Sequence, residues 1–96
     1  MKVVYTDAAL RDIDNITIWL SEHYPGLGRR VERRMRIVVA HLARWPESMR
    51  RSKLRPGVRV APLGRYPYKI FYRVRGDTLE ILHIHHAARE PWDERQ

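Results

Sequence analysis

Apolar residues recur along this chain with two distinct periods, and the change of period divides it into elements. Val3-Val4-Tyr5 is β-branched and aromatic, which predicts a short strand. From Ala8 to about Tyr24 the spacing changes: Leu10, Ile13, Ile16 or Thr17, Leu20 and Tyr24 fall on one helical face. Thr6 or Asp7 can cap that helix, and Asp7, Asp12 and Asp14 suit its positive end. Ile18 and Trp19 widen the stripe, so the helix is expected to be covered on more than one side. Tyr24-Pro25-Gly26-Leu27-Gly28 stops it, because proline disfavours helix in the preceding residue and glycine turns the chain.

Val31, Met35, Val38, Leu42 and Trp45 are four, three, four and three residues apart, the apolar face of a second helix. Arg29, Arg33 and Arg36 lie off that face and should be solvated, and Pro46 ends the run. So short a connection predicts an antiparallel helical hairpin. Residues 47–57 are polar and close on Pro56-Gly57, a loop.

Three strands follow. Residues 58–62 alternate, with Pro62 marking an edge or a strand end. Residues 66–74 set Tyr68, Ile70, Tyr72 and Val74 against Lys69, Phe71 and Arg73. Arg75-Gly76-Asp77 forms a hairpin turn. Residues 78–86 are apolar on both faces at Leu79, Ile81, Leu82 and Ile84, as a central strand requires. The order β-α-α-β-β-β predicts an α+β fold, a helical hairpin packed on a small, mainly antiparallel sheet. The other sheet face is expected to be concave, open and lined by basic strand residues.

With 96 residues the chain suits one domain spanning 1–96, with about 88–96 as a loosely held polar tail. There is no cysteine, hence no disulfide frame and no thiolate metal site. The first residues lack the long apolar run of a signal peptide, and no stretch is long enough to span a membrane. A cytoplasmic protein without membrane attachment is the expectation.

Charge changes the picture. The net charge is +8, and it is unevenly placed: residues 48–75 hold nine basic side chains and no acid. These are Arg50, Arg51, Lys53, Arg55, Arg59, Arg65, Lys69, Arg73 and Arg75. Such a block attracts a polyanion or an acidic protein surface, and the arginine forks suit phosphate and carboxylate. His83 and His85 should share one strand face while His86 points to the other. Two histidines without cysteine fall short of a zinc site, so neither metal nor cofactor is implied. The alternative for these histidines is structural, hydrogen-bonded to Glu80, Glu90 or backbone.

Asp7-Ala8-Ala9-Leu10-Arg11-Asp12-Ile13 after a first strand resembles the opening of RelE/ParE toxins, as does Arg44-Trp45-Pro46-Glu47 at a helix end. The run from Arg59 through Gly64-Arg65-Tyr66-Pro67-Tyr68 to Val74, and then Glu80 to Arg89, is similar to that superfamily in the same order. The resemblance covers about residues 1–90. It implies the toxin of a type II toxin–antitoxin pair, held by a cognate acidic antitoxin that wraps it and meeting operator DNA only through that complex. In the RelE-like branch such a toxin cuts messenger RNA in the ribosomal A site. In the ParE-like branch it poisons DNA gyrase and is not known as an enzyme.

For the RelE-like alternative, the matching regions offer Lys53, Arg55, Arg65, Arg73, His83 and His85 for metal-free RNA cleavage, which needs a base, cations and an acid. RelE-like toxins also often carry a tyrosine near the C-terminus, whereas here no tyrosine follows Tyr72, and the tail from Pro91 to Gln96 leans acidic. Both departures favour the ParE-like branch, with no catalytic residue and with Arg59, Arg65, Lys69, Arg73, His86 and Arg89 as the surface for target or antitoxin. A second alternative is a non-toxic subunit of a DNA-bound toxin–antitoxin complex.

Overall fold

Strand β1 (Lys2–Tyr5) opens the chain in the computed structural model, which describes residues 1–53 and 55–87. Thr6 then takes an extended backbone and its hydroxyl accepts from the Ala9 N–H at 3.0 Å, capping helix α1 (Asp7–His23). Gly26, at φ 85°, supplies the left-handed step into helix α2 (Leu27–Arg44). The two helices cross closely at Gly28, where a Cβ would lie 2.6 Å from Ser21 Oγ and 2.9 Å from the Thr17 carbonyl. Only glycine fits that contact.

Strands β2 (Arg59–Pro62), β3 (Tyr68–Arg75) and β4 (Thr78–His86) complete a four-stranded sheet of order β1-β4-β3-β2. β1 runs parallel to β4 and the other pairings are antiparallel. The expected order of elements and the helical hairpin on a mainly antiparallel sheet are both present, and β4 is central as its apolar faces require.

The helix-side core joins Val31, Met35, Val38 and Leu42 of α2 to Ile70, Tyr72, Leu79, Ile81 and Ile84 of the sheet. Leu42, Ile70, Tyr72, Leu79 and Ile81 are fully buried. Each such aliphatic side chain contributes about 1.5–3 kcal/mol. Ala9 and Leu20 are the buried residues of α1, with Ile13 and Ile16 packed against the core.

Three expectations need correction. Ile18 and Trp19 are about half exposed, so α1 is covered on one side only; Leu10 and Tyr24, at the margins of the stripe, are exposed too. Trp45 is 57% exposed, because it caps α2 in a non-helical conformation and leaves the helical face that its spacing suggests. The sheet face away from the helices is not a bare basic surface either. Val58, Val60, Phe71 and Leu82 form a second buried cluster there.

That second cluster follows from a bulge. Phe71 pairs with His83 but Tyr72 pairs with Ile81, so Leu82 is an extra residue in β4. The phase of β4 shifts there, which lets Ile81 and Ile84 both enter the helix-side core while Leu82 joins Phe71. No helix among the described residues is long and apolar enough to cross a membrane. The tail expected at 88–96 lies outside the described residues.

Candidate functional site

β4 outruns its parallel neighbour. The last β1–β4 pair is Tyr5 with Ile81, so from Leu82 onward that edge of β4 needs other partners. Helix α1 provides them. The Thr6 N–H donates to the Ile81 carbonyl at 3.0 Å and the Thr6 hydroxyl to the Leu82 carbonyl at 2.9 Å. Asp12 Oδ2 accepts the Ile84 N–H at 3.0 Å and lies 3.1 Å from His83 Nδ1. A carboxylate can only accept, so the facing ring nitrogen carries the proton and the tautomer is set.

Around this pair the bulged strand gathers a small polar constellation. His83 and His85 meet edge to face with ring centroids 5.2 Å apart, and His85 meets Phe71 the same way at 5.7 Å. His86 stacks edge-on against Tyr68 at 5.3 Å. Thus His83 and His85 share a face and His86 takes the other, as period-two reasoning expects. Lys69 is the sheet neighbour of His85, and Arg73 of Glu80. A groove of about 620 Å³ runs along the α1–β4 junction, lined by Asp12, Ile16, Trp19, Tyr68, His85 and His86.

The basic residues divide by what they touch. Arg73 donates to Glu80 at 2.5 Å, with Arg75 3.7 Å from the same carboxylate oxygen. The hydrogen bond from Arg73 holds the Glu80 carboxyl below its ordinary range, with the charges of Arg73 and Arg75 adding to it. Glu80 is therefore the partner of an arginine, and among the described residues the acid that His83 meets is Asp12. Arg59 is opposite Tyr72 in the ladder and so faces the helix side, where it donates to the Met49 carbonyl at 2.6 Å. The expectation that it lines the open sheet face is wrong; it fastens the loop after α2.

Lys53 and Arg55 sit in the loop before β2, and Arg65 is exposed in the loop after it. Lys69, Arg73, His83 and His85 are thereby brought onto β3 and β4 together, whereas Lys53, Arg55 and Arg65 stand on flanking loops. Arg89 lies outside the described residues.

Sequence reasoning missed two positions. Arg34 donates from Nε to the Leu63 carbonyl at 2.8 Å, tying α2 to the β2–β3 loop. Asp12 was legible only as an acid near a helix start, yet it falls three residues after buried Ala9 and four before half-buried Ile16. An acid on the packed face of a helix is a signal that it has a specific partner.

The chain can be set beside known proteins on this geometry. Residues 3–91 match the family model described as ParE toxin of type II toxin-antitoxin system, parDE. A Sinorhizobium fredii (strain NBRC 101917 / NGR234) protein named "Putative toxin Y4kP" is 33% identical over 89 residues, covering 93% of this chain and 91% of that protein. A solved chain from the chromosomal ParDE TA system of P. aeruginosa superposes with a TM-score of 0.66 at 24% identity, covering 90% of this chain and 95% of its own. The isolated E. coli RelE toxin superposes with a TM-score of 0.68 at 15% identity, covering 94% and 87%. The fold is common to both kinds of toxin.

Proposed function

Since the chain belongs to the ParE toxin family of type II toxin–antitoxin systems, we propose that it inhibits growth by poisoning DNA gyrase and is neutralised by a cognate acidic antitoxin. The observation that carries this reading is the match to the ParE family model over residues 3–91. Two features of the chain support it. Arg73, a candidate phosphate clamp in the RelE-like alternative, is already paired with Glu80. No tyrosine follows Tyr72, so the chain lacks the C-terminal tyrosine of the RelE-like pattern. In this reading the protein acts by binding, in the cytoplasm, as a single domain. Arg65, Lys69, His86 and Arg89 contribute to the surface for antitoxin or target, and operator DNA is met only through the antitoxin.

The RelE-like reading retains one specific observation. His83 is oriented by a carboxylate, with His85 beside it and Lys69 on the neighbouring strand, a grouping able to move a proton near a cation. The test uses toxin freed of antitoxin at matched concentration in two assays. With gyrase and supercoiled DNA, cleaved DNA should accumulate; on translating ribosomes, messenger RNA should stay intact. Codon-dependent cleavage on ribosomes, abolished by His83→Ala, would replace the gyrase reading. Silence in both assays would favour the non-toxic subunit of a DNA-bound complex.

A further inference from the structure

We propose that Asp12, His83 and His85 form a binding site for a divalent transition-metal ion of the zinc class, clipping helix α1 to the end of β4. The proposal does not depend on whether gyrase or the ribosome is the target.

The three side chains come from elements 71 residues apart in sequence, and each can offer one ligand atom, all lying within 4.8 Å of one another. Bonds of about 2.0–2.1 Å at a tetrahedral centre set neighbouring ligand atoms about 3.3 Å apart. The Asp12–His83 pair is held at 3.1 Å by a hydrogen bond, so an ion entering there displaces the Nδ1 proton of His83 to solvent while His85, whose ligand atom lies within 4.8 Å, closes on it. Two imidazoles and one carboxylate are ligands of borderline character, which select zinc, nickel or copper over magnesium or calcium. All three residues are half-buried, enough to limit their motion while leaving access to solvent.

Backbone geometry prepares the set. The Ile84 N–H donates to Asp12 Oδ2 and fixes the carboxylate, the kind of outer hydrogen bond that orients metal ligands. His83 and His85, two residues apart in β4 beyond the bulge, present their rings on one strand face. Asp12 and His85 also line the α1–β4 groove, so the coordination positions not filled by protein open toward it. An ion there takes up water or a donor atom from whatever occupies the groove. The neighbouring cation Lys69, paired in the ladder with His85, lowers affinity by repulsion and makes a weak to moderate site the expectation.

Binding joins α1 to β4 in the native state only, so it must stabilise the fold. Tag-free protein stripped with a chelator is titrated with zinc chloride while thermal unfolding is followed. At zinc a hundred times its dissociation constant, Tm should rise by about 10 °C or more. Asp12→Asn keeps an acceptor for the Ile84 N–H but should lose at least tenfold in zinc affinity. His83→Gln and His85→Gln should each do the same, and His86→Gln, on the opposite face, should bind as the parent does. Cobalt substitution of the unmutated protein supplies a second reading: its visible spectrum should be that of a low-coordinate site with histidine ligands. Unchanged Tm at millimolar zinc would overturn the proposal. So would zinc affinity untouched in the His83→Gln and His85→Gln proteins, or a cobalt spectrum of the hexaaqua ion.

Discussion

The Tyr72 phenol, at the centre of the sheet, donates a 2.8 Å hydrogen bond to the Pro46 carbonyl just past the end of α2. Tyr72 is fully buried, and Arg59 beside it holds the Met49 carbonyl of the same loop. Sheet, helix end and loop are thus fastened at one place by two side chains of β2 and β3. Tyr72→Phe keeps the ring and removes only the hydroxyl, leaving the Pro46 carbonyl short of a donor. A loss of about 1–3 kcal/mol in urea unfolding is expected. An unchanged midpoint would mean that water replaces the phenol at no cost.

The same residue sets an alkaline limit. Burial pushes the Tyr72 phenol above its ordinary value of 10.0, against opposing effects of the Arg59 charge and a backbone hydrogen bond; burial likewise raises Tyr5, against the charge of Arg36. The folded state therefore holds these protons more tightly than the unfolded chain. Their stabilising effect is complete below pH 10 and is lost as pH climbs from there through the raised folded values. Denaturation midpoints taken between pH 8 and pH 11 should be level and then fall, and Tyr72→Phe should fall less steeply. Identical slopes for the two proteins would assign the alkaline loss to other groups.

Glu80 sets the opposite limit. Its carboxyl is held below the ordinary 4.5 by the Arg73 hydrogen bond, so the folded state favours the ionised form. That contribution is present above pH 4.5 and disappears as pH falls through the lower folded value. Glu80→Gln should flatten the acid limb of the stability profile and leave the alkaline limb alone. The measurement is the midpoint of urea unfolding from pH 3 to pH 7, and an acid limb of unchanged slope would disprove the assignment.

Leu42 and Arg33 test the phase of α2. Leu42 is fully buried, whereas Arg33 is exposed. Leu42→Ala should cost about 2–5 kcal/mol, and Arg33→Ala within about 0.5 kcal/mol of nothing. Equal damage in thermal melts would contradict the packing of α2 described above.

That phase was readable because Val31, Met35, Val38 and Leu42 obey a local period, as do the hairpin turn at Gly76 and the extent of β4. What local periods cannot carry is pairing between distant residues. Asp12 reaches His83 and Ile84 only because β4 outruns β1, a fact about strand lengths that no window of sequence contains. The bulge at Leu82 is hidden for a related reason: an apolar run reads the same whether or not one residue is extra. Trp45 misled because its spacing is helical while the backbone at the proline boundary is not. The charge block at 48–75 was plain, but which arginines are spent on Glu80 or on carbonyls required the fold.

That division of the arginines gives the last prediction. An acidic partner approaching the block is steered by the cations that remain solvated, and Arg50, Arg51 and Arg65 are exposed, whereas Arg59 and Arg73 are held by Met49 and Glu80. Association with the antitoxin should slow as salt rises, because exposed charges are screened beyond about 8 Å at physiological ionic strength. Changing Arg50, Arg51 and Arg65 together to glutamine should lower the association rate at low salt by about tenfold and flatten its dependence on salt, with little effect on folding. Arg59→Gln should instead weaken the folded state through the lost carbonyl contacts and leave the salt slope nearly as it was. Stopped-flow association across a salt series, with thermal melts of each variant, distinguishes the two classes. A flat salt dependence for the unmutated protein would remove the basic block as the docking surface, and a larger kinetic effect from Arg59→Gln than from the triple change would remove Arg50, Arg51 and Arg65 as the steering cations.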